Sequence, residues 1–380
     1  MNSNKKKLCF LTGTRADYGK IKSIMQFIES SHKFELYIFV TGMHMHKEYG
    51  YTYNEILKDS YKNIHMFINQ HSAATPVMDM TLAKTIDGFS AYINEIRPDL
   101  IIVHGDRIET LAATIVGAMN NILVGHIEGG EVSGTIDESI RHAVTKLAHV
   151  HFVANEESKK RVIQLGESED RIFIIGSPDI DIMLCSNLPN WEVTKARYEI
   201  SFDYFGIVLF HPVTTSYSNM KKYTKSFVDA LIISNKKYIV IHPNNDLGRK
   251  FIIEEYERFK NNPNFRAFLS IRFEYFLSML KNAKFIIGNS SAGIREASVY
   301  GVPAIDIGDR QQNRYQPREG LLHCNYDADE ILRAINICSQ LTIESSYDFG
   351  LGNSSEQFMN IIDNDKFWST PLQKHFIDQE

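Results

Sequence analysis

Two doubly wound α/β domains facing a common cleft are the architecture this sequence predicts, and three observations predict it. Short apolar runs recur along the chain, and each ends in glycine or polar residues. Helical patterns separate those runs, which is the alternation of a parallel sheet. The alternation also starts afresh after a polar stretch at 186–191, and 380 residues suffice for two ordinary domains.

In the first half, residues 8–12 form an apolar strand running into Gly13-Thr-Arg-Ala-Asp-Tyr-Gly19. A strand, a glycine turn and a helix present backbone amides to an anion, and Arg15 adds a fixed positive charge. The pattern is short, and a plain turn with a surface arginine reads equally well. Residues 34–40 form the next strand, and 51–98 read as helix and loop, with Pro98 closing a helix. Residues 100–104 form an apolar strand ending in His104-Gly-Asp-Arg107, followed by a helix over 108–119 and a strand over 122–127. Strands joined in this way lie side by side, which puts Asp106 and Glu128 at neighbouring strand ends. Arg107 beside Asp106 could hold that carboxylate ionised or meet a phosphate. Taken singly, Asp106 reads as a helix cap.

The stretch from His126 to His151 concentrates the chemistry. Glu128, two glycines and Glu131 follow the strand, and apolar residues from Ile136 to Leu147 then recur at helical spacing. Thr135 and Glu138 have capping-box spacing. Asp137 falls in the first helical turn, where a carboxylate also has a purely structural use against the helix dipole and against Arg141 four residues on. Three carboxylates at strand–loop–helix corners that border the ligand crevice of an open sheet point to acid/base work.

The second half repeats the alternation. Strands at 206–210, 237–242, 284–287 and 302–307 end respectively in His211-Pro-Val-Thr-Thr, His242-Pro-Asn-Asn-Asp, Gly288-Asn-Ser-Ser-Ala-Gly293 and Gly308-Asp-Arg310. The Gly288 loop is the clearest anion signal, with hydroxyls, free amides and glycines where backbone must come close. Glu296 is expected about one and a half turns into the following helix, placed to accept from a ribose. Asn244, in the loop after 237–242, joins the nucleotide-side candidates. The stripe Phe268, Ile271, Phe273, Phe276 and Leu277 reads as core or pocket wall.

Composition narrows the classes. A net charge of −5 argues against bulk nucleic-acid binding. Cys9, Cys185, Cys324 and Cys338 lie far apart with no metal-ligand spacing, as expected of reduced thiols in a cytoplasmic protein. The apolar run behind the N-terminal lysines is too short for a signal-peptide core, and no run approaches membrane-spanning length. No metal or other cofactor is expected.

Six motifs in order, Asp106-Arg107, His126-Ile-Glu-Gly-Gly-Glu-Val-Ser-Gly-Thr-Ile-Asp137, Ile140-Arg-His142, His211-Pro-Val-Thr-Thr, Gly288-Asn-Ser-Ser and Gly308-x-Arg-Gln, together resemble the hydrolysing UDP-N-acetylglucosamine 2-epimerases. The resemblance runs from about residue 7 to about 375. Non-hydrolysing relatives have Ala-Gly-Leu-Arg after the matching glutamate, whereas Gly129-Gly-Glu-Val follows Glu128 here. One departure is Asn313, where relatives usually have glycine.

The resemblance implies a glycosyltransferase-B-like pair of Rossmann-like domains. Residues 1–185 would carry the acid/base groups and 186–355 would bind UDP, while 356–380 would form a helix packed back on the first domain. It further implies a homodimer or dimer of dimers, and a UDP-sugar hydrolysed with inversion at C2 to N-acetylmannosamine and UDP. On that reading Asp106, Glu128 and Asp137 are the acid/base set and His211 is a phosphate or leaving-group contact. Arg15, Arg107, Ser290 and Ser291 meet the phosphates, Glu296 meets the ribose, and Asn244 and Arg310 are further nucleotide-side contacts. The same chemistry on a diacetamido-trideoxy sugar nucleotide, or a glycosyltransferase on the same fold, are the alternatives.

Overall fold

The computed structural model describes residues 5–70, 78–132, 136–243, 248–311 and 319–378. The chain forms two compact units, one comprising Met1–Leu184 with Phe349–Glu380, the other Cys185–Asp348. The return to the first unit thus falls at Phe349 rather than at 356.

The first unit is built on seven strands: β1 Lys6–Thr12, β2 Phe34–Val40, β3 Ile64–Met66, β4 Leu100–His104, β5 Leu123–Ile127, β6 Val150–Val153 and β7 Ile172–Ile174. Every pairing is parallel, in the order β3-β2-β1-β4-β5-β6-β7. The chain winds outward both ways from β1 and β4, so the gap past their carboxyl ends is the crevice where such sheets take ligands. β1, β4 and β5 are apolar and buried almost throughout because helices cover both faces. Those helices are α1 Arg15–Ser30, α2 Tyr53–Lys58, α3 Met78–Ile96, α4 Ile108–Met119, α5 Ile136–Leu147, α6 Glu156–Gln164 and α7 Pro178–Met183.

The second unit has α8 Trp191–Tyr198, β8 Gly206–Leu209, α9 Met220–Ile233, β9 Tyr238–Ile241, α10 Arg249–Tyr256, β10 Phe265–Phe268 and α11 Phe273–Asn282. It continues through β11 Phe285–Gly288, α12 Glu296–Val299, β12 Ala304–Ile307, β13 Leu321–Cys324 and α13 Ala328–Cys338. Its parallel sheet has the order β10-β9-β8-β11-β12-β13. Helices α14 Ser354–Ile362 and α15 Asp365–Trp368 return to the first unit, where Phe358, Ile362 and Phe367 join the core around Phe10, Ile21 and Phe152.

Three strands escaped the sequence reading: β3, β10 and β13 are three or four residues long and lie at sheet edges. The segment after β11 differs too. A 3-10 turn Ser291–Gly293 comes first, and α12 then begins at Glu296 itself, so this residue opens its own short helix. Of the aromatic stripe, Phe276 and Leu277 are core and the other three are half-buried. The capping-box residue Thr135, the loop residue Asn244 and the departure at Asn313 lie outside the described residues. Among the described residues no helix is long and apolar enough to cross a membrane.

Candidate active site

The parallel register brings three corners to one edge of the first sheet. His104 pairs with Ile127 and Phe10 with Ile102, so the residues that follow β1, β4 and β5 emerge side by side. Glu128 sits just past β5, 3% exposed, with φ +62, a left-handed conformation rare for a side chain with a Cβ. Such a residue stores roughly 1–3 kcal/mol of strain that its surroundings must hold. Of the next two residues, the first is tightly packed and the second must be glycine for steric reasons. A Cβ on Gly129 would lie 3.0 Å from His126 Nδ1, and one on Gly130, whose φ is +78, would lie 2.2 Å from the Ser158 carbonyl oxygen. The Glu-Gly-Gly sequence is therefore the means of turning the chain inside a packed corner.

Donors converge on the Glu128 carboxylate from three elements. Ser177, at the start of α7, donates its hydroxyl to Oε1. His104 Nε2 donates to Oε2 at 3.1 Å, and Lys20 Nζ on α1 lies 3.4 Å from the same oxygen. Lys20 also reaches the fully buried Asp179, at 3.5 Å. Arg141 on α5 ties two corners together: one amino group donates to the Glu128 carbonyl at 2.6 Å, the other to the Asp106 carboxylate.

The partner that Asp106 meets is thus a residue 35 positions away in sequence. Arg107, adjacent in sequence, donates instead to the Met43 sulfur at 3.8 Å. Desolvation alone would lower the Arg107 guanidinium, but the carboxylates of Glu109, Asp137, Asp17 and Asp106 together raise it above its ordinary value. Asp137, half-buried in the first turn of α5, thus shares the neighbourhood of Asp106 and Arg107. Arg15 forms a two-pronged pair with Glu55, at 2.7 Å and 3.0 Å, and would have to exchange that partner to hold an anion. His126 is structural. Nε2 donates to Gly105 O at 2.9 Å, so Nδ1 accepts from the Thr145 hydroxyl, and burial pushes its pKa down to about 3.

In the second unit the loops after β8, β11 and β12 meet at Asn289, which has no exposed surface. Its side chain grips the backbone of His211 at both ends, accepting from the amide at 2.7 Å and donating to the carbonyl at 2.9 Å. Its own carbonyl accepts from Arg310 at 2.9 Å and from Gln311 at 2.8 Å. Gly288, at φ +147, lets this loop lie against β8, since a Cβ there would stand 2.0 Å from the Leu209 carbonyl oxygen. Ser290 caps the 3-10 turn by accepting from the Ala292 amide at 3.3 Å, while Ser291 is exposed. Glu296 is buried. His242, after β9, is half-buried; burial and then Arg249 push its pKa below the ordinary value.

The structure thus links Asp106 and Glu128 through Arg141, puts Asp137 within electrostatic reach of Arg107, and places His211, Ser290, Ser291 and Arg310 around Asn289. It adds Lys20, His104, Arg141, Ser177 and Asp179 in the first unit, and Asn289 and Gln311 in the second. The usable signal was position: His104 ends a strand, Ser177 and Asp179 flank the proline that opens α7, and Asn289 follows a strand-end glycine. Among the described residues no group of three His, Cys, Asp or Glu side chains is arranged to hold a metal ion.

Comparison with known proteins shows the family. The sequence model of the UDP-N-acetylglucosamine 2-epimerase family matches residues 26–363. A Neisseria meningitidis serogroup B protein named UDP-N-acetylglucosamine 2-epimerase is 46% identical over 98% of this chain and 99% of its own length. A Legionella pneumophila protein named UDP-N,N'-diacetylbacillosamine 2-epimerase (hydrolyzing) is 33% identical over 94% of this chain and 95% of its own. The crystal structure of Methanocaldococcus jannaschii UDP-GlcNAc 2-epimerase in complex with UDP-GlcNAc and UDP superposes with a TM-score of 0.79. That match is at 21% identity over 94% of this chain and 99% of the other, a likeness of fold. A family match over most of the chain, joined to near-full-length identity of this order, establishes that the protein belongs to the UDP-N-acetylglucosamine 2-epimerase family.

Proposed function

We propose that the protein is a hydrolysing 2-epimerase that converts UDP-N-acetylglucosamine and water to N-acetylmannosamine and UDP. The Glu128-Gly-Gly corner carries this reading: its buried carboxylate sits at positive φ, and Arg141 ties its backbone to the Asp106 carboxylate. A carboxylate base takes the proton from C2 of the sugar while the C1–O bond to UDP breaks, leaving a glycal. Water then adds at C1 and a second carboxylic acid returns a proton to C2 from the opposite face. Such a sequence needs at least two acid/base groups in one crevice, each contributing about 10²–10⁴-fold. Asp106, Glu128 and Asp137 are that set. Arg141 and Ser177 hold two of them in place. His211, Ser290, Ser291 and Arg310 stabilise charge on the departing UDP, where fixed donors act most strongly, and Glu296 accepts from the ribose. Arg107, exposed at the same corner, is a further phosphate contact.

Incubated with UDP-N-acetylglucosamine in D₂O without acceptor, the protein releases UDP and N-acetylmannosamine carrying deuterium at C2. Protium retained at C2 would exclude the elimination route, and UDP release only on adding an acceptor would point to a transferase. The Legionella relative's name brings in a second substrate, and turnover of the diacetamido-trideoxy analogue at a higher kcat/KM would reassign the sugar.

The phosphate contacts have their own test. Ser290→Ala with Ser291→Ala removes two hydroxyls, each worth about 1.5–3 kcal/mol to a charged group. The double variant therefore binds UDP at least tenfold more weakly by calorimetry. Unchanged affinity would leave Ser290 only its cap on the 3-10 turn.

A further inference from the structure

The far end of the chain grips the catalytic helix of the first unit. Helix α5 carries Asp137 and Arg141 in its first two turns, and its last carbonyls have no partner within the helix. Lys374 supplies one. Its ammonium donates to Ala148 O at 2.6 Å and Lys146 O at 2.8 Å, with Thr145 O at 3.4 Å. It also meets Glu167 Oε2 at 2.6 Å.

Glu167 is 4% exposed and held by three elements, with Lys146 of α5 at 2.7 Å and His151 of β6 at 3.1 Å beside Lys374. Burial would raise this carboxyl, but His151, Lys146 and Lys374 together hold it down at about 2. Burial also lowers Lys374, yet an amine donating to two carbonyls and a carboxylate uses all three of its protons, so it sits there charged.

Two residues earlier, the Leu372 carbonyl accepts from His149 Nε2 at 3.1 Å, and Nδ1 of the same ring accepts from the Val124 amide in β5 at 3.0 Å. The tail therefore holds both elements of the acid/base corner, the strand that feeds Glu128 and the helix that carries Asp137 and Arg141, at the end away from the chemistry. Its own anchorage is firm, because Phe367 lies in the first core and Trp368 Nε1 donates to Ile362 O at 2.7 Å.

We infer that Lys374 is a positioning residue for the acid/base corner, acting through helix α5, an inference that rests on the function proposed above. A 12-residue helix is a rod about 18 Å long, so play at its C-terminus moves Asp137 and Arg141 at the other. A displacement of about 1 Å at reacting groups costs on the order of 10²-fold in rate.

The test uses the full chain. Lys374→Met lowers kcat at least about tenfold, leaves the Kd for UDP unchanged, and speeds amide hydrogen exchange over residues 136–142. Lys374→Arg restores most of kcat. Lys374→Gln, which keeps an amide donor and disturbs folding least, falls between the two. A folded Met or Gln variant with wild-type kcat would overturn the inference. So would a loss of kcat and UDP affinity together that tracks the melting temperature, the mark of a merely structural strap. Should the wild-type protein prove inert on UDP-N-acetylglucosamine, the proposed reaction fails on its own account. Exchange then decides the clamp: unchanged rates over 136–142 in Lys374→Met would overturn it.

Discussion

Glu128→Gln lowers turnover at least about 10²-fold while the affinity for UDP and the fold persist. The site accommodates the amide. Its oxygen can face His104 Nε2 and Lys20, and its NH₂ can face Ser177, whose hydroxyl reverses from donor to acceptor. The backbone strain at φ +62 is unchanged by the substitution. What is lost is the capacity to take or give a proton, and the loss is read in steady-state UDP release. On the proposed route two proton transfers are involved, so a variant crippled more in hydration than in elimination lets the glycal escape, and it appears beside UDP in the product spectrum. Wild-type turnover with a lowered melting temperature would instead make Glu128 a structural hub, gathering α1, β4 and α7 without taking part in the reaction.

The framework of the molecule was legible because its signal is local. Residues 34–40 and 100–104 read as strands and are strands with those bounds, since parallel strands covered on both faces are continuous apolar runs. The edge strands β3, β10 and β13 carry polar residues within three or four positions and lack that contrast. Asp106 and Glu128 were legible as neighbouring strand-end carboxylates, as the pairing of His104 with Ile127 has them. Their partners were not, because the partner depends on which helix face returns to the corner. Sequence adjacency favoured Arg107 for Asp106, yet the packing of α5 delivers Arg141. Ser177 is 49 residues from Glu128 and Lys20 is 108 away, separations at which no spacing rule operates. Asn289 was visible only as a letter within a phosphate-loop pattern. Its work, fixing the backbone of His211 from 78 residues away, belongs to tertiary structure.

Arg141→Met is the substitution expected to damage both stability and rate. It removes the donor to the Asp106 carboxylate and the donor to the Glu128 carbonyl while keeping most of the apolar stem. Breaking a buried pair from one side costs about 3–5 kcal/mol. Asp106 keeps 20% side-chain exposure against 9% for Arg141, so water relieves part of the loss and about 3 kcal/mol is expected. Denaturant unfolding at fixed pH reads this directly. Turnover falls as well, by about 10²-fold or more, because Asp106 loses its orientation and the Glu128 corner loses one of its ties. A double-mutant cycle separates the two effects. If Arg141 acts through Asp106, adding Asp106→Asn to Arg141→Met lowers kcat little further, since coupled residues are not additive. Independent, multiplying losses would mean that Arg141 works on Glu128 or on substrate instead, and the Asp106 pair would then be a matter of stability alone.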